Sequence, residues 1–370
     1  MDLSVVSSEL ELSYHKLTPK LKSCFLGLVF FKEGSTVRVE KLIHLWSTGG
    51  MLSQGEAEHE TDEEIGRKCL DELINQYLVQ VRDLSSGDNS RVKICSINSN
   101  LHMLAVTKAE EEVRFEILRS DGSSLASHKP RHGAINCSME EFNYCANQLN
   151  HLVSLFFRGW LHFNVDPSYW KSFELLKRLD FEGFGLKTLS EMVGNTKLHG
   201  ETARHYKENG KPSSPLHLEN LDCLILRGSQ FRSMPPLDEL AILNRLTQLK
   251  LDGLIIKLPS AGDFPPTLRY LTLANTCLGV DPMPVLEKIS KLFFLKLRNA
   301  FTGEQMLVSE FGFAKLRVLC IAELWNLRNL HVGDGAMRKL LRVEINNCPY
   351  LKNLPNEIAL KANLEKLKMV

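Results

Sequence analysis

The sequence predicts two architectures in one chain: an α+β N-terminal domain of helices and a hairpin, then an α/β solenoid of short parallel strands. Three observations carry this. An apolar motif returns with a fixed period from about residue 149, the first 115 residues show helical spacing instead, and a Ser-rich stretch separates the two.

The repeated motif is apolar-x-x-apolar-x-x-apolar-x-apolar. It reads Leu149, Leu152, Leu155, Phe157, then Phe173, Leu176, Leu179, Phe181, and recurs through Leu218, Leu243, Pro265, Ile289, Phe313, Met337 and Lys361 as first positions. The third positions, 155, 179, 224, 249, 271, 295, 319, 343 and 367, are separated by 24, 45, 25, 22, 24, 24, 24 and 24 residues. The alternation that ends each set, as in Leu271-x-Leu273, makes a short strand with two inward side chains. The earlier apolar residues, three apart, face the same interior from the turn leading in. Such units cannot bury their apolar faces alone and must stack, which is the reading of a leucine-rich-repeat solenoid, a horseshoe of short parallel strands. Prolines after the strands, at Pro235-Pro236, Pro259 and Pro355, favour an extended or 3₁₀-like return over long helices. The 45-residue step predicts about ten units over 133–370, one of them degraded near 190–212, where Glu201 and Ala203 occupy apolar positions after Leu198. The last set runs to Val370 with no polar cap, which leads us to expect a cut chain or a cap supplied by a partner.

Residues 1–115 carry other periods. Leu10 to Phe31 has helical spacing, with Thr18 and Pro19 placed as N-cap and first helical residue. Val39, Leu42, Ile43 and Trp46 share one helix face, and Cys69, Leu70, Leu73, Ile74 and Tyr77 share another. Leu78–Arg82 and Val92–Ser96 alternate on either side of a Ser-Gly-Asp turn, a β-hairpin, and a helix follows from about Asn98 to Glu112. Three helices behind a hairpin have the layout of a winged helix. Residues 116–132, with Ser120–His132 rich in serine, read as a linker, and Ala134–Cys137 as a first strand of the solenoid.

Composition narrows the function. Lys plus Arg number 45 against 44 Asp plus Glu, a net charge of +1, which argues against wrapping nucleic acid by bulk charge. The acidic run Glu56–Glu64 argues against DNA reading by the winged helix, so no nucleic-acid partner is expected. The longest apolar run, Cys24–Phe31, is far short of the roughly 20 residues that cross a bilayer. The first residues show neither the basic nor the apolar region of a secretory signal, so a cytoplasmic protein is expected. Nine scattered cysteines without CxxC spacing read as free thiols rather than a metal or redox site, and the Asn136-Cys137-Ser138 sequon as a coincidence. No nucleophile–base or paired-carboxylate pattern stands out, so no enzyme is expected. His44 and His102 read as structural, Trp46 as core, and Glu110–Glu112 as a solvated helix end.

A binding face follows from spacing alone. Residues flanking the inward pair on each strand point to the concave surface. Those expected to contact a partner are Asp180, Arg227, Lys250, Tyr270, Phe294, Lys296, Arg298, Arg342 and Glu344. Phe294 beside Tyr270, Lys296 and Arg298 is the expected anchor, an aromatic and arginine mixture typical of binding hot spots.

Two N-terminal segments resemble a known family. Leu12-Ser13-Tyr14-His15-Lys16-Leu17, continuing through Lys20-Leu21-Lys22 to Cys24-Phe25-Leu26, and Lys41-Leu42-Ile43 through Leu45-Trp46 to Gly49-Gly50-Met51-Leu52, look like winged-helix motifs of plant disease-resistance proteins, the nucleotide-binding leucine-rich-repeat immune receptors of the coiled-coil subclass. The resemblance implies a defense (innate-immunity) protein whose repeats recognise a pathogen effector, or a host protein that effectors modify. Two departures stand out. No GxxxxGK[ST] phosphate loop occurs; Gly210-Lys211-Pro212-Ser213 lacks the partner glycine, with His205 in its place. The family's Met-His-Asp motif, whose histidine is expected at the β-phosphate of ADP, falls on Ile97-Asn98-Ser99. Asn98 keeps a hydrogen-bonding amide but loses the imidazole, and Asn98-Ser99 also suits a helix cap. The reading is a truncated product without its nucleotide switch. No cofactor is expected in this chain, ADP or ATP only with an upstream core, and a full-length receptor is a further expected partner. Two alternatives stay open: a repeat-type substrate adaptor of a ubiquitin ligase, and a fragment of a complete ATP/ADP-switched receptor.

Overall fold

The structure is a computed structural model that describes residues 11–31, 33–48, 51–52, 62–84, 92–118, 129–136, 149–158, 173–182, 218–228, 234, 236–237, 240–359 and 366–369. The chain divides into two units. One comprises Met1–Ile117 with His128–Pro130, and the other Leu118–Ser127 with Arg131–Val370.

In the first unit a helix runs over Pro19–Leu26, capped by Thr18, whose hydroxyl accepts from the Leu21 amide at 3.4 Å, with Pro19 in the first turn where its missing N–H costs nothing. Further helices span Val39–Thr48, Asp62–Asn75 and Ser99–Val113. The hairpin is present as β2 (Gln80–Leu84) and β3 (Val92–Ser96), and it gains a strand that alternation missed: β1, Thr36–Arg38, pairs antiparallel with β3. Three residues are too few to show a period, so β1 exists only through its partner. The core holds Tyr14, Cys24, Phe25, Leu42 and Trp46, each fully enclosed. Gly27 lies against it so closely that an added Cβ would sit 2.6 Å from Met51 Sδ and 2.9 Å from the Trp46 ring. Any larger residue there must push the indole aside.

One side chain departs from expectation. The carboxylate of Glu112, read as part of a solvated helix end, accepts the hydroxyl of buried Tyr14 at 2.8 Å. Burial first, and that hydrogen bond second, push the phenol's pKa up. His102 is buried, with Nε2 2.9 Å from the Phe31 carbonyl, a structural role. The side chain of His44 lies outside the described residues.

The second unit is a solenoid. Its strands β5 (His132–Asn136), β6 (Ser154–Arg158), β7 (Arg178–Glu182), β8 (Cys223–Arg227), β9 (Gln248–Asp252), β10 (Tyr270–Ala274) and β11 (Phe294–Arg298) pair parallel in order. The ladder continues through β13 (Val318–Ala322), β15 (Arg342–Asn346) and β16 (Lys366–Met369). The registers align the repeat positions: Leu249, Leu271, Leu295, Leu319 and Val343 form one row, Leu251, Leu273, Leu297, Ile321 and Ile345 another, all enclosed. Burial alternates along β9 and β11, the two inward residues enclosed and the three flanking ones half-exposed.

Two expectations of organisation meet the structure. β7 pairs directly with β8, and residues 183–217, where a degraded unit was expected near Leu198, lie outside the described residues. The segment 116–132 does not begin as a linker: β4, Phe115–Leu118, is a strand, with Leu118 buried and 2.9 Å from where a Gly133 Cβ would stand.

The ladder strands β9, β10, β11, β13 and β15 are each followed by a residue of positive φ: Gly253 at 147°, Asn275 at 53°, Asn299 at 46°, Glu323 at 56° and Asn347 at 53°. The amides at 253, 275, 299 and 323 donate to the carbonyl ending the next strand, at 2.8–3.0 Å, so this kink carries the chain out of the sheet without losing a bond. Glycine and asparagine suit it because they tolerate the left-handed region. Return segments differ by repeat. Met283–Leu286 forms one helical turn, while Gln305–Val308 (β12) and Asn329–Val332 (β14) pair as a two-stranded parallel sheet. The described cysteines are unbonded thiols.

Candidate protein-recognition face

The sheet sets three columns of side chains on the face opposite the leucine rows. One runs Arg178, Cys223, Gln248, Tyr270, Phe294, Val318, Arg342, and a second Asp180, Ile225, Lys250, Thr272, Lys296, Cys320, Glu344. The third runs Glu182, Arg227, Asp252, Ala274, Arg298, Ala322, Asn346. Parallel strands at about 4.8 Å bring residues from distant repeats side by side.

The nine expected contact residues fall into two environments. Asp180 is 2% exposed and lies 3.0 Å from Arg227, whose other nitrogen is 3.4 Å from Glu182. Arg342 is 5% exposed and donates from Nε to Glu344 at 3.0 Å. Asp180 and Arg342 are therefore structural ions rather than presented groups, and this corrects their assignment as contact residues. Alternation places a side chain on a face; it does not report what the neighbouring strand lays over it.

Tyr270, Phe294, Lys296 and Arg298, in the middle of the face, are only half-buried. Tyr270 and Phe294 approach at a centroid distance of 6.3 Å, and Arg298 is held by Glu323 at 3.1 Å. Asn299 donates to Asn275 at 3.2 Å, and Asn275 to Asp252 at 2.8 Å, fixing one edge of the face. Small Ala274 and Ala322 on either side of Arg298 leave room above them. Sequence reasoning missed Phe293. Its ring packs 5.8 Å from Tyr270 and has Arg269 at 5.7 Å and Arg317 at 5.3 Å. The signal was available, since 269, 293 and 317 each precede a strand by one residue, but rows were drawn from strand residues only.

Lys250 shows the electrostatic cost of this surface. Its Nζ is 3.5 Å from Asp252, yet burial foremost, with Arg227 nearby, lowers its pKa to about 8. An unfolded lysine titrates near about 10.4. Between those values the unfolded chain holds the proton more readily, so this residue's penalty is full below pH 8 and fades as pH rises toward the unfolded value. Lys250→Met is expected to stabilise the solenoid by on the order of 2 kcal/mol at pH 7 and to flatten the rise between pH 8 and 10. Urea titrations across that range check it; parallel curves for both proteins would remove the explanation.

Asn98 serves the winged helix. Its Oδ1 accepts from the Leu101 amide at 2.8 Å, so it is the N-cap of Ser99–Val113.

A winged-helix domain followed by a leucine-rich-repeat solenoid with a half-exposed aromatic and cationic centre defines a class: a repeat scaffold that presents side chains from parallel strands on one face. Comparison with known proteins narrows it. Residues 30–105 match the disease resistance protein winged helix domain family. Disease resistance protein RPH8A of Arabidopsis thaliana is 24% identical over 99% of this chain and 52% of its own length. RPP8 of the same plant is 25% identical over the same shares. The chain is thus similar along nearly its whole length to plant disease-resistance proteins, and it spans about half the length of the curated relatives it matches. Among solved structures, an internalin of Listeria monocytogenes aligns with 65% of this chain and 66% of its own, at 14% identity and a TM-score of 0.37. The Toll–Spätzle complex of Drosophila aligns with 65% of this chain and 40% of its own, at 14% identity and a TM-score of 0.32. Among the described residues no helix is long and apolar enough to cross a membrane.

Proposed function

We propose that this chain is the sensing part of a disease-resistance receptor, acting in the cytoplasm and recognising a pathogen effector, or a host protein that effectors modify, on the concave face of its repeats. The observation that carries the reading is the half-exposed group Tyr270, Phe294, Lys296 and Arg298 on β10 and β11, with the ion pairs Asp180–Arg227 and Arg342–Glu344 farther along the same face. Aromatic rings with arginine, surrounded by neighbours that exclude water, are the composition of a binding hot spot. The winged-helix match and the names of the relatives support a role in plant defense.

In this reading the chain works by binding and not by catalysis, and it holds no nucleotide by itself. The sequence has no phosphate loop, and Asn98, through its side-chain Oδ1, is the cap of the Ser99–Val113 helix. Switching by ADP and ATP would belong to a core supplied from outside these residues, in the same polypeptide or in a full-length receptor that pairs with this chain.

Two measurements test this. Phe294→Ala with Lys296→Ala should strip specific proteins from those co-purifying with the tagged chain in plant tissue, leaving its melting temperature within a few degrees. An unchanged set of co-purifying proteins would defeat concave recognition. Calorimetric titration with ADP should give no heat of binding; micromolar affinity would defeat the proposed dependence on an outside core. Retrieval of a ubiquitin-ligase scaffold in the same purification would favour the substrate-adaptor alternative.

A further inference from the structure

We propose that the rim of the solenoid where the chain enters β10 to β15 is a second docking surface, specific for an acidic protein surface. The proposal rests on the reading above that the repeats bind proteins, but it concerns different residues.

The turns entering the strands change sign along the solenoid. Before β7 and β8 they read Glu174-Leu175-Leu176-Lys177 and Glu219-Asn220-Leu221-Asp222, three acids and one cation. Before β10, β11, β13 and β15 they read Pro266-Thr267-Leu268-Arg269, Ser290-Lys291-Leu292-Phe293, Ala314-Lys315-Leu316-Arg317 and Arg338-Lys339-Leu340-Leu341, six cations and no acid. All six cations are exposed, and none makes an ion pair among the described residues. Lys291, Lys315 and Lys339 occupy one repeat position on consecutive rungs, about 4.8 Å apart in the ladder. Like charges so placed repel one another, and a chain of net charge +1 has no general reason to gather them. An anionic partner turns that repulsion into affinity.

The centre of the rim is organised rather than diffuse. Backbone bonds from the Phe293 amide to the Arg269 carbonyl and from the Arg317 amide to the Phe293 carbonyl, both 2.8 Å, stack the three residues in one column. The guanidiniums of Arg269 and Arg317 lie over the Phe293 ring at 5.7 and 5.3 Å, one from the rung on either side. The ring orients both forks at little entropic cost, and a guanidinium fork matches a carboxylate. The two arginines are two rungs apart, about 10 Å. That matches carboxylates seven residues apart on a helix, at about 1.5 Å rise per residue. A single-stranded nucleic acid would need a free aromatic face for stacking, and here guanidiniums take the faces of Phe293. An anionic membrane would be met best by apolar side chains among the cations. The exposed Leu254, Ile256, Val280, Trp325 and Tyr350 instead follow the strands, at their opposite ends, and exposed Phe311, which does lie beside the rim, has the guanidinium of Arg338 over its ring at 4.9 Å.

The test uses the whole chain and a fluorescent 15-residue helical peptide with glutamates at seven-residue spacing, read by anisotropy. Its glutamine counterpart, a 15-nucleotide single strand and phosphatidylserine vesicles serve as rival probes. The acidic peptide should bind at least tenfold more tightly than the glutamine peptide and weaken with salt. Arg269→Gln with Arg317→Gln should reduce affinity at least tenfold. Phe293→Ala should reduce it several-fold with no change of charge, and circular dichroism should show the repeats intact. Unchanged affinity in the arginine variant overturns the proposal, as does equal or tighter binding of DNA or vesicles through the same arginines. Failure here leaves concave recognition standing if Phe294→Ala with Lys296→Ala still alters the co-purifying proteins; if those variants also change nothing, both readings fall.

Discussion

Asp180→Ala is expected to destabilise the solenoid by about 3–5 kcal/mol, because it strands a cation that has already left water. Arg227 keeps Glu182, at 3.4 Å, and the charge of Asp252 once the 3.0 Å approach to Asp180 is gone. The desolvation already suffered by the guanidinium then goes largely uncompensated. Asp180→Leu with Arg227→Met should be less damaging than Asp180→Ala, since no unpaired charge remains. Urea titration of the three proteins decides it. A loss below about 1 kcal/mol in the single variant, or a double variant no better than it, would show that the pair is solvated and that this end of the face is open to partners.

Leu295→Ala is expected to cost a further class of energy, about 2–5 kcal/mol of packing and cavity. Leu295 is fully enclosed on β11, with Leu271 and Leu319 in register on the neighbouring rungs. A solenoid propagates order between nearest neighbours, so the loss should fall on the rungs adjoining β11. Hydrogen exchange should quicken in β10, β11 and β13 and change little in the winged helix. Uniform acceleration across both units would contradict the one-dimensional view of the repeats.

Much of the fold is legible because the solenoid is periodic. A leucine every two residues at the end of each set, returning after about 24, leaves one efficient way to hide it, and the enclosed rows from Leu249 to Val343 are those same residues. Thr18 before Pro19 marks a helix start through local chemistry that needs no tertiary partner. Where long-range pairing decides, the sequence was silent or misleading. Three-residue β1 exists because β3 lies beside it, β4 stands where a linker was expected, and β7 meets β8 across 45 residues.

The candidate face divides along the same line. The sequence by itself determined which residues share a face, because strand alternation is a property of the local backbone. It put Asp180, Arg227, Phe294 and Arg342 on one side of the sheet without distinguishing them. Only the tertiary structure decided that Asp180 and Arg342 are buried against opposite charges while Phe294 stays half-exposed, and that Phe293 lies between two arginines from rungs 24 residues away on either side. The physical reason is that direction is set within one strand, whereas burial and charge pairing are set by neighbours that are distant in the chain and about 5 Å away in the sheet.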